Sequence, residues 1–276
     1  MDAQDREFRG FGTVKTIDPD GNYAIAQFLQ DDIYKGRPSR QTSYDAAGRK
    51  YTESTSTWNY SVVRDQTEDI LFPFLKRADQ YNYEGQATAK RTAVEYGTPD
   101  TYGNITDTYE YGEVDFNTGT DLVTQDNRHG QTVYVGNEGP WLLGLPKQTF
   151  IKDYQDQVLR ESQFTYDQLA WGSTPAVGLL TQKEDVSREQ TSPSPITQYE
   201  YDEYGNLKKT IDPLGRATNI TYDSTYHFFP MSTVNALGQS VTNEYYGVNG
   251  VDLEDGEGLT GLWGQLKSTI DPNSQR

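Results

Sequence analysis

The stretch Gly205-Asn-Leu-Lys-Lys-Thr-Ile-Asp212-Pro-Leu-Gly-Arg216 is written again as Gly264-Gln-Leu-Lys-Ser-Thr-Ile-Asp271-Pro-Asn-Ser-Gln275, and its core occurs upstream as Thr13-Val-Lys-Thr-Ile-Asp18-Pro-Asp-Gly21-Asn22. A phrase that returns with drift marks a repeat architecture, in which each unit buries its apolar face only against its neighbours. Residues 196–223 give the clearest copy. Thr197, Tyr199 and Tyr201 alternate with Gln198 and Glu200, the period of a half-buried strand. In Asp202-Glu-Tyr-Gly205 the carboxylate can accept from backbone N–H groups ahead of it, and the glycine can take the left-handed conformation that ends a type I turn with a bulge. Leu207, Lys209 and Ile211 are expected on one face of the return strand. Asp212-Pro-Leu-Gly215 then turns the chain again, with proline fixing φ at the first central position, and a third strand runs to Tyr222-Asp223.

The same D-x-x-G loop occurs at Asp18–Gly21, Asp45–Gly48 and Asp100–Gly103, with Asn235–Gly238 as an Asn-led variant. Gly48, Gly103 and Gly205 are therefore expected at positive φ. Glycines also open strands, at Gly36, Gly144, Gly178 and Gly264. The step from these to the next Asp (Asp45, Asp153, Asp185, Asp271) is nine or seven residues, a difference of two that keeps side chains on the same face. Residues 59–90, 112–143, 168–195 and 247–262 read as less regular. The expected fold is all-β, an antiparallel hairpin meander with little helix, forming an open arc of a larger shell. A division into 1–195, with degenerate hairpins, and 196–276, with regular repeats, is expected to lie within one continuous sheet. The last phrase, Thr269-Ile-Asp271-Pro-Asn273-Ser-Gln-Arg276, ends on a turn. A piece cut mid-repeat, with an open sheet edge and a tendency to self-associate, is expected from it.

The chain has 276 residues, 34% hydrophobic and 13% aromatic, with 21 Tyr supplying buried area that aliphatic residues do not; disorder is not expected. A formal charge of −17, from 41 Asp+Glu against 24 Lys+Arg, argues against nucleic acid and anionic lipid as partners. With no cysteine there is no disulfide framework and no thiolate metal site. The N-terminal Met1-Asp-Ala-Gln-Asp-Arg-Glu is too charged for the core of a signal peptide, and no stretch reaches the length of an apolar membrane span. The piece is expected to be soluble; Met1 is compatible with a native start or with an internal piece.

Tyr201-Asp202-Glu-Tyr-Gly205-Asn206, followed by Asp212-Pro-Leu-Gly215-Arg216 and Thr221-Tyr222-Asp223, resembles the YD repeat of rearrangement-hot-spot (Rhs) proteins and teneurins. Phe8-Arg-Gly-Phe-Gly12, Asp18-Pro-Asp-Gly-Asn22, Phe28-Leu-Gln-Asp-Asp32, Lys35-Gly-Arg-Pro38 and Leu142-Leu-Gly-Leu-Pro146 resemble the middle-to-C-terminal region of the B component of insecticidal Tc toxin complexes. This resemblance covers essentially the whole chain. It implies a structural, non-enzymatic segment of a secreted virulence protein. In such a protein YD repeats spiral into a hollow β-shell around a toxic C-terminal polypeptide. The implied partners are flanking repeats, a C-component-like shell half and the enclosed effector. In that family the self-cleaving core lies C-terminal to such a segment and a channel-docking β-propeller lies N-terminal. Asp212-Pro-Leu-Gly only superficially matches the self-cleavage phrase, so no catalytic role passes to Asp212.

The residues themselves name no catalytic, cofactor-binding or metal site. Asp18, Asp45, Asp202 and Asp212 share one loop position, where an Asp-to-backbone bond accounts for the residue without chemistry. Asp18-Pro-Asp20-Gly-Asn22 lacks EF-hand spacing, with Leu29 where the closing Glu would stand. A weak calcium site at 252–257 stays open beside the reading of Asp252-Leu-Glu-Asp-Gly-Glu-Gly258 as a solvated loop. His129 and His227, the only histidines, are expected in solvent-exposed turns, and nucleotide-binding and serine-hydrolase motifs are absent. The alternative to a shell segment is a cell-surface or secreted β-repeat that recognises glycan or protein through exposed Tyr and Trp. Cargo, host target, organism and number of repeats are not encoded here.

Overall fold

The computed structural model describes residues 9–64, 69–188, 192–253 and 262–275. Among them seventeen strands form one antiparallel sheet, and the single short helix is a 3-10 turn at Thr124–Asp126. The strands are β1 (Thr13–Ile17), β2 (Tyr23–Phe28), β3 (Pro38–Tyr44), β4 (Lys50–Arg64), β5 (Asp69–Asn82) and β6 (Lys90–Tyr96). They continue as β7 (Asp107–Val114), β8 (Arg128–Asn137), β9 (Leu142–Lys152), β10 (Val158–Tyr166), β11 (Leu180–Asp185) and β12 (Ile196–Tyr201). The last five are β13 (Leu207–Ile211), β14 (Ala217–Tyr222), β15 (Pro230–Val234), β16 (Ser240–Tyr245) and β17 (Leu266–Ile270). Strands adjacent in sequence pair antiparallel, as in β1 with β2, β6 with β7 and β12 with β13, so the meander read from the turn phrases is the fold. Two compact units are distinguishable: residues 1–134 with 148–161, and residues 135–147 with 162–276.

In the second unit a recurrent tyrosine sets the register. Tyr201 ends β12 and pairs with Leu207, while its neighbour Glu200 pairs with Lys209, leaving Lys208 as the extra residue of a bulge. Tyr166, Tyr222 and Tyr245 sit in matching bulges against Leu180, Pro230 and Leu266. Each hydroxyl also reaches back across the sheet. Tyr166 donates to the Pro146 carbonyl (2.7 Å), Tyr201 to Leu180 (2.9 Å), Tyr222 to Leu207 (3.1 Å) and Tyr245 to Pro230 (3.4 Å). At Tyr201, Tyr222 and Tyr245 one side chain therefore fixes the start of the strand before it and the start of the strand after it, while Tyr166 holds β9 within its length. The bulge corrects one expectation: Leu207 faces Tyr201 whereas Lys209 faces Glu200, so Leu207 does not share a face with Lys209 and Ile211.

An aspartate follows the tyrosine and closes the turn. The Asp202 N–H donates to the Asn206 carbonyl (2.9 Å), and Asp202 Oδ1 accepts the N–H groups of Tyr204 and Asn206 while Oδ2 accepts the Asn206 amide. The residue after the glycine is thus half of the clamp. Asn22, Arg49, Asn104 and Arg216 play this part for Asp18, Asp45, Asp100 and Asp212, each giving both its N–H and its side chain to the carboxylate. The same turn occurs without glycine at Asp153–Gln157 and Asp271–Gln275, where Asp156 (φ 59°) and Ser274 (φ 62°) take the left-handed position. Gly48, Gly103 and Gly205 have φ of 79°, 89° and 87°, as expected.

Longer loops use the same acceptor more fully. Asp223, 1% exposed, accepts N–H groups from Thr225, Tyr226, Phe228 and Phe229 at 2.6–3.1 Å. Asp167 accepts from Ala176, Val177, Gly178 and Leu179. Burial disfavours the Asp223 charge, but the four N–H dipoles outweigh it and hold the carboxyl well below the usual carboxylate range.

Within 59–90, the residues expected to be irregular, 59–64 and 69–82 are regular strand, 83–89 form a loop, and 65–68 lie outside the described residues. That region holds β5, paired with β4 from Thr52↔Asn82 to Arg64↔Asp69. The run Ile70-Leu-Phe-Pro-Phe-Leu75 hides the strand period because both faces of the hairpin carry apolar side chains.

Three outcomes are expected in urea titrations of single variants. Gly205→Val should cost on the order of 1–2 kcal/mol through left-handed strain alone, because an added Cβ meets nothing within 4 Å. Tyr166→Phe should cost about 1 kcal/mol by orphaning the Pro146 carbonyl. Asp223→Asn should cost on the order of 2 kcal/mol at neutral pH. Because the folded-state pKa of Asp223 is depressed, its contribution is full above the unfolded value near 3.8 and fades as pH falls below that, so variant and wild type should converge in acid. Equal acid profiles throughout would sink the last assignment.

Candidate functional site

The aspartates singled out by sequence are not gathered into a centre. Asp18, Asp45, Asp202 and Asp212 each lie in a separate turn with their oxygens engaged by the clamp residues. At Asp45 and Asp212 the backbone N–H and guanidinium of Arg49 and Arg216 keep the carboxyl below its ordinary value, as a hydrogen-bonded turn acceptor should be. Among the described residues no group of three or more His, Asp or Glu is placed to hold a metal ion. The calcium candidate at 252–257 lies mostly outside the described residues, which stop at Leu253.

The most deeply placed charges form an ionic network that sequence reading missed. Asp79, 4% exposed, accepts from the Arg77 guanidinium at 2.9–3.2 Å and from Arg91 at 2.9 Å. Arg77 continues to Glu95 and the Gly119 carbonyl, and Arg91 to the carbonyls of Asp115 and Phe116. Burial raises the Asp79 carboxyl, but the two guanidinium groups prevail and leave it below its usual range. Every oxygen is committed to tying the 115–119 turn onto β5 and β6, an arrangement that holds structure and leaves no base free. Arg77 and Asp79 fall in 59–90 and the 115–119 turn in 112–143, while Arg91 and Glu95 lie on β6 between them; the pair Arg77, Asp79 at i, i+2 was the available signal.

His129 departs from the exposed turn expected for it. It lies on β8 opposite Tyr109 of β7, with the rings stacked at 4.5 Å and its side chain only 15% exposed. Its Nε2 is 2.9 Å from Asp107 Oδ1 and its Nδ1 is 2.9 Å from Asp156 Oδ1. Burial opposes the charge on Asp107, yet Thr106 and His129 pull its carboxyl below the ordinary value; for Asp156 the His129 bond is the leading cause of the same shift. His227 stacks on Tyr204 at 4.0 Å, and its carbonyl accepts the Asn206 amide. With both nitrogens of His129 on carboxylates, this imidazole is not set to activate a hydroxyl.

What the molecule offers outward is surface. In the first unit β3 accompanies β4 only to Thr55 and β6 joins β5 only from Arg77, so the rest of the β4–β5 hairpin extends past both neighbours. Cross-strand pairs share a face. Val62 with Leu71 lies on one side and Ser61 with Phe72 on the other, and Tyr60, Val62, Ile70, Leu71 and Phe72 are all exposed. In the second unit an open depression of about 490 Å³ is lined mainly by amide and hydroxyl side chains, Thr165, Gln168, Thr181, Gln182 and Gln198 among them, with the charged Glu200 and Lys208. Phe228 and Trp263 are exposed around the buried Phe229, which Trp263 meets edge-on at 5.5 Å. No helix among the described residues is long and apolar enough to cross a membrane.

No protein-family model matches the sequence. A search of curated proteins by sequence likewise finds no match. Solved structures do match. The structure described as TcdB2-TccC3-TEV aligns over 99% of this chain and 20% of its own at TM-score 0.57 and 13% identity. The TcdB2-TccC3 structure aligns over 89% of this chain and 21% of its own at TM-score 0.52 and 12% identity. A chain of the Photorhabdus luminescens Tc holotoxin pore aligns over 90% and 21% at TM-score 0.53 and 12% identity. The chain thus spans about a fifth of the length of the structures it matches. At such identity the likeness is one of fold: this chain has the all-β, antiparallel fold of a segment of the Tc toxin complex chains.

Proposed function

We propose that this chain is a structural segment of a toxin-encapsulating β-shell of the Tc and Rhs kind, and that it acts by containment. The observation that carries the reading is the tyrosine-tied meander, whose likeness to TcdB2-TccC3 chains runs over nearly the whole of this chain. A wall of this type needs strands locked in register and no free edge along its course, and each YD unit supplies both. The two-faced apolar hairpin of β4 and β5 supports it further, because such a surface is stabilised by a polypeptide laid against it. The partners under this reading are flanking repeats of the parent protein, a C-component-like shell half and an enclosed effector. The parent is secreted, and the segment turns over no substrate.

A second reading, a β-repeat module recognising glycan or protein, draws on the exposed Trp141 (76%), Phe228 (70%) and Trp263 (54%). One experiment separates the two. The parent protein is digested with a non-specific protease and the survival of its C-terminal region is followed. Containment predicts protection that the destabilising pair Gly205→Val with Asp223→Asn abolishes. Equal digestion with and without those substitutions, together with a glycan-array signal lost on Trp263→Ala, would transfer the assignment to the binding module.

A further inference from the structure

Asp156 stands at the one position of the β9–β10 turn that the other copies give to glycine, or in one case to Ser274, and it does so at φ 59°. Left-handed backbone strains a non-glycine residue, although Asp tolerates it better than most. The carboxylate put there reaches His129 Nδ1 at 2.9 Å, while His129 Nε2 meets Asp107 at 2.9 Å. A neutral imidazole has a single N–H and would turn a lone pair toward one of these anions. The imidazolium has two, and it fits both.

We propose that His129 is a proton-held latch: with both ring nitrogens protonated it ties Asp107 of β7 to Asp156 of the β9–β10 turn, and loss of either proton releases that turn. Asp107 of β7 and Asp156 of the turn meet the ring, Asp153 and Thr124 line the cleft beside it, and Lys152 at the end of β9 acts on Asp156; Glu110 and Arg128, paired with each other across β7 and β8, belong to the other face, and the 3-10 turn also carries Asp126. Tyr109 beneath the ring is kept neutral, its hydroxyl pushed up by burial and by Asp107 and Asp156. The step itself is a simple transfer, in which the imidazolium gives one proton to water or hydroxide and the freed nitrogen lone pair repels the carboxylate beside it. This latch is independent of what the sheet encloses.

The test is the protonation of the His129 nitrogens in the ¹⁵N-labelled 276-residue chain, followed by long-range ¹H–¹⁵N NMR across pH. Amide exchange at Asp153–Gln157 is measured alongside it, with the Asp202–Asn206 turn as the internal reference. In wild type the doubly protonated pattern should persist to higher pH than in Asp156→Gly, and exchange of the 153–157 amides should rise relative to the reference as that pattern is lost. Asp156→Gly is informative because it gives the turn its favoured residue and removes only the carboxylate; Asp156→Asn, which keeps the shape, should behave the same way toward the proton. If Asp156→Gly leaves the His129 titration unchanged, or if the ring shows one neutral tautomer throughout while the turn stays closed, the latch is wrong and Asp156 is merely a tolerated turn residue.

Discussion

The interaction on which the regular part of this sheet depends is the tyrosine hydroxyl bonded to a carbonyl near the start of the preceding strand, as Tyr201 to Leu180 and Tyr222 to Leu207. A meander of five- and six-residue strands has little apolar surface with which to fix register, and a slip of one residue would exchange its two faces. The tyrosine removes that freedom at one end of a strand by holding a strand start on either side of it. The bulge beside it accommodates the large ring without breaking the ladder, and bulges also strengthen twist. Among the described residues buried aliphatics are accordingly few, and the largest fully buried side chains are Val248, Asp223 and Pro175.

Part of the acidity behind the net charge of −17 follows from the same design. A turn that must satisfy its backbone N–H groups with a single short side chain selects Asp, and the fold uses it at Asp18, Asp45, Asp100, Asp153, Asp202, Asp212 and Asp271. These seven, of 41 acidic residues, are accounted for by hairpin formation without a cationic ligand. The exceptions are the charges that sit off the turns. Asp79 is neutralised by two arginines, and Asp107 shares His129 with an aspartate from another hairpin.

The two units handle stability differently. Residues 162–276 with 135–147 repeat one device. Residues 1–134 with 148–161 instead combine a long hairpin, the Arg77–Asp79–Arg91 network and the stacked Tyr23 and Tyr44 (4.7 Å). The long hairpin is also where apolar surface is left uncovered on both faces.

Sequence alone determined the strand class, the hairpin connectivity and the turns, because D-x-x-G and period-2 alternation are local properties that the backbone obeys wherever they occur. Positive φ at Gly48, Gly103 and Gly205 is such a local consequence. The fifth turn residue, Asn22 or Arg216, was equally present in the sequence, and it would have revealed the glycine-free copies at Asp153 and Asp271. What only the tertiary structure decided are pairings between distant residues. The Tyr166 hydroxyl meets Pro146, Arg91 meets the carbonyls of Asp115 and Phe116, and His129 is caught between Asp107 and Asp156. No periodicity announces these, since each depends on which strands become neighbours and on bulges that re-aim side chains by one register. The reason is physical: turn chemistry is settled within five residues, whereas the partner of a buried hydroxyl or charge is chosen by the sheet as a whole.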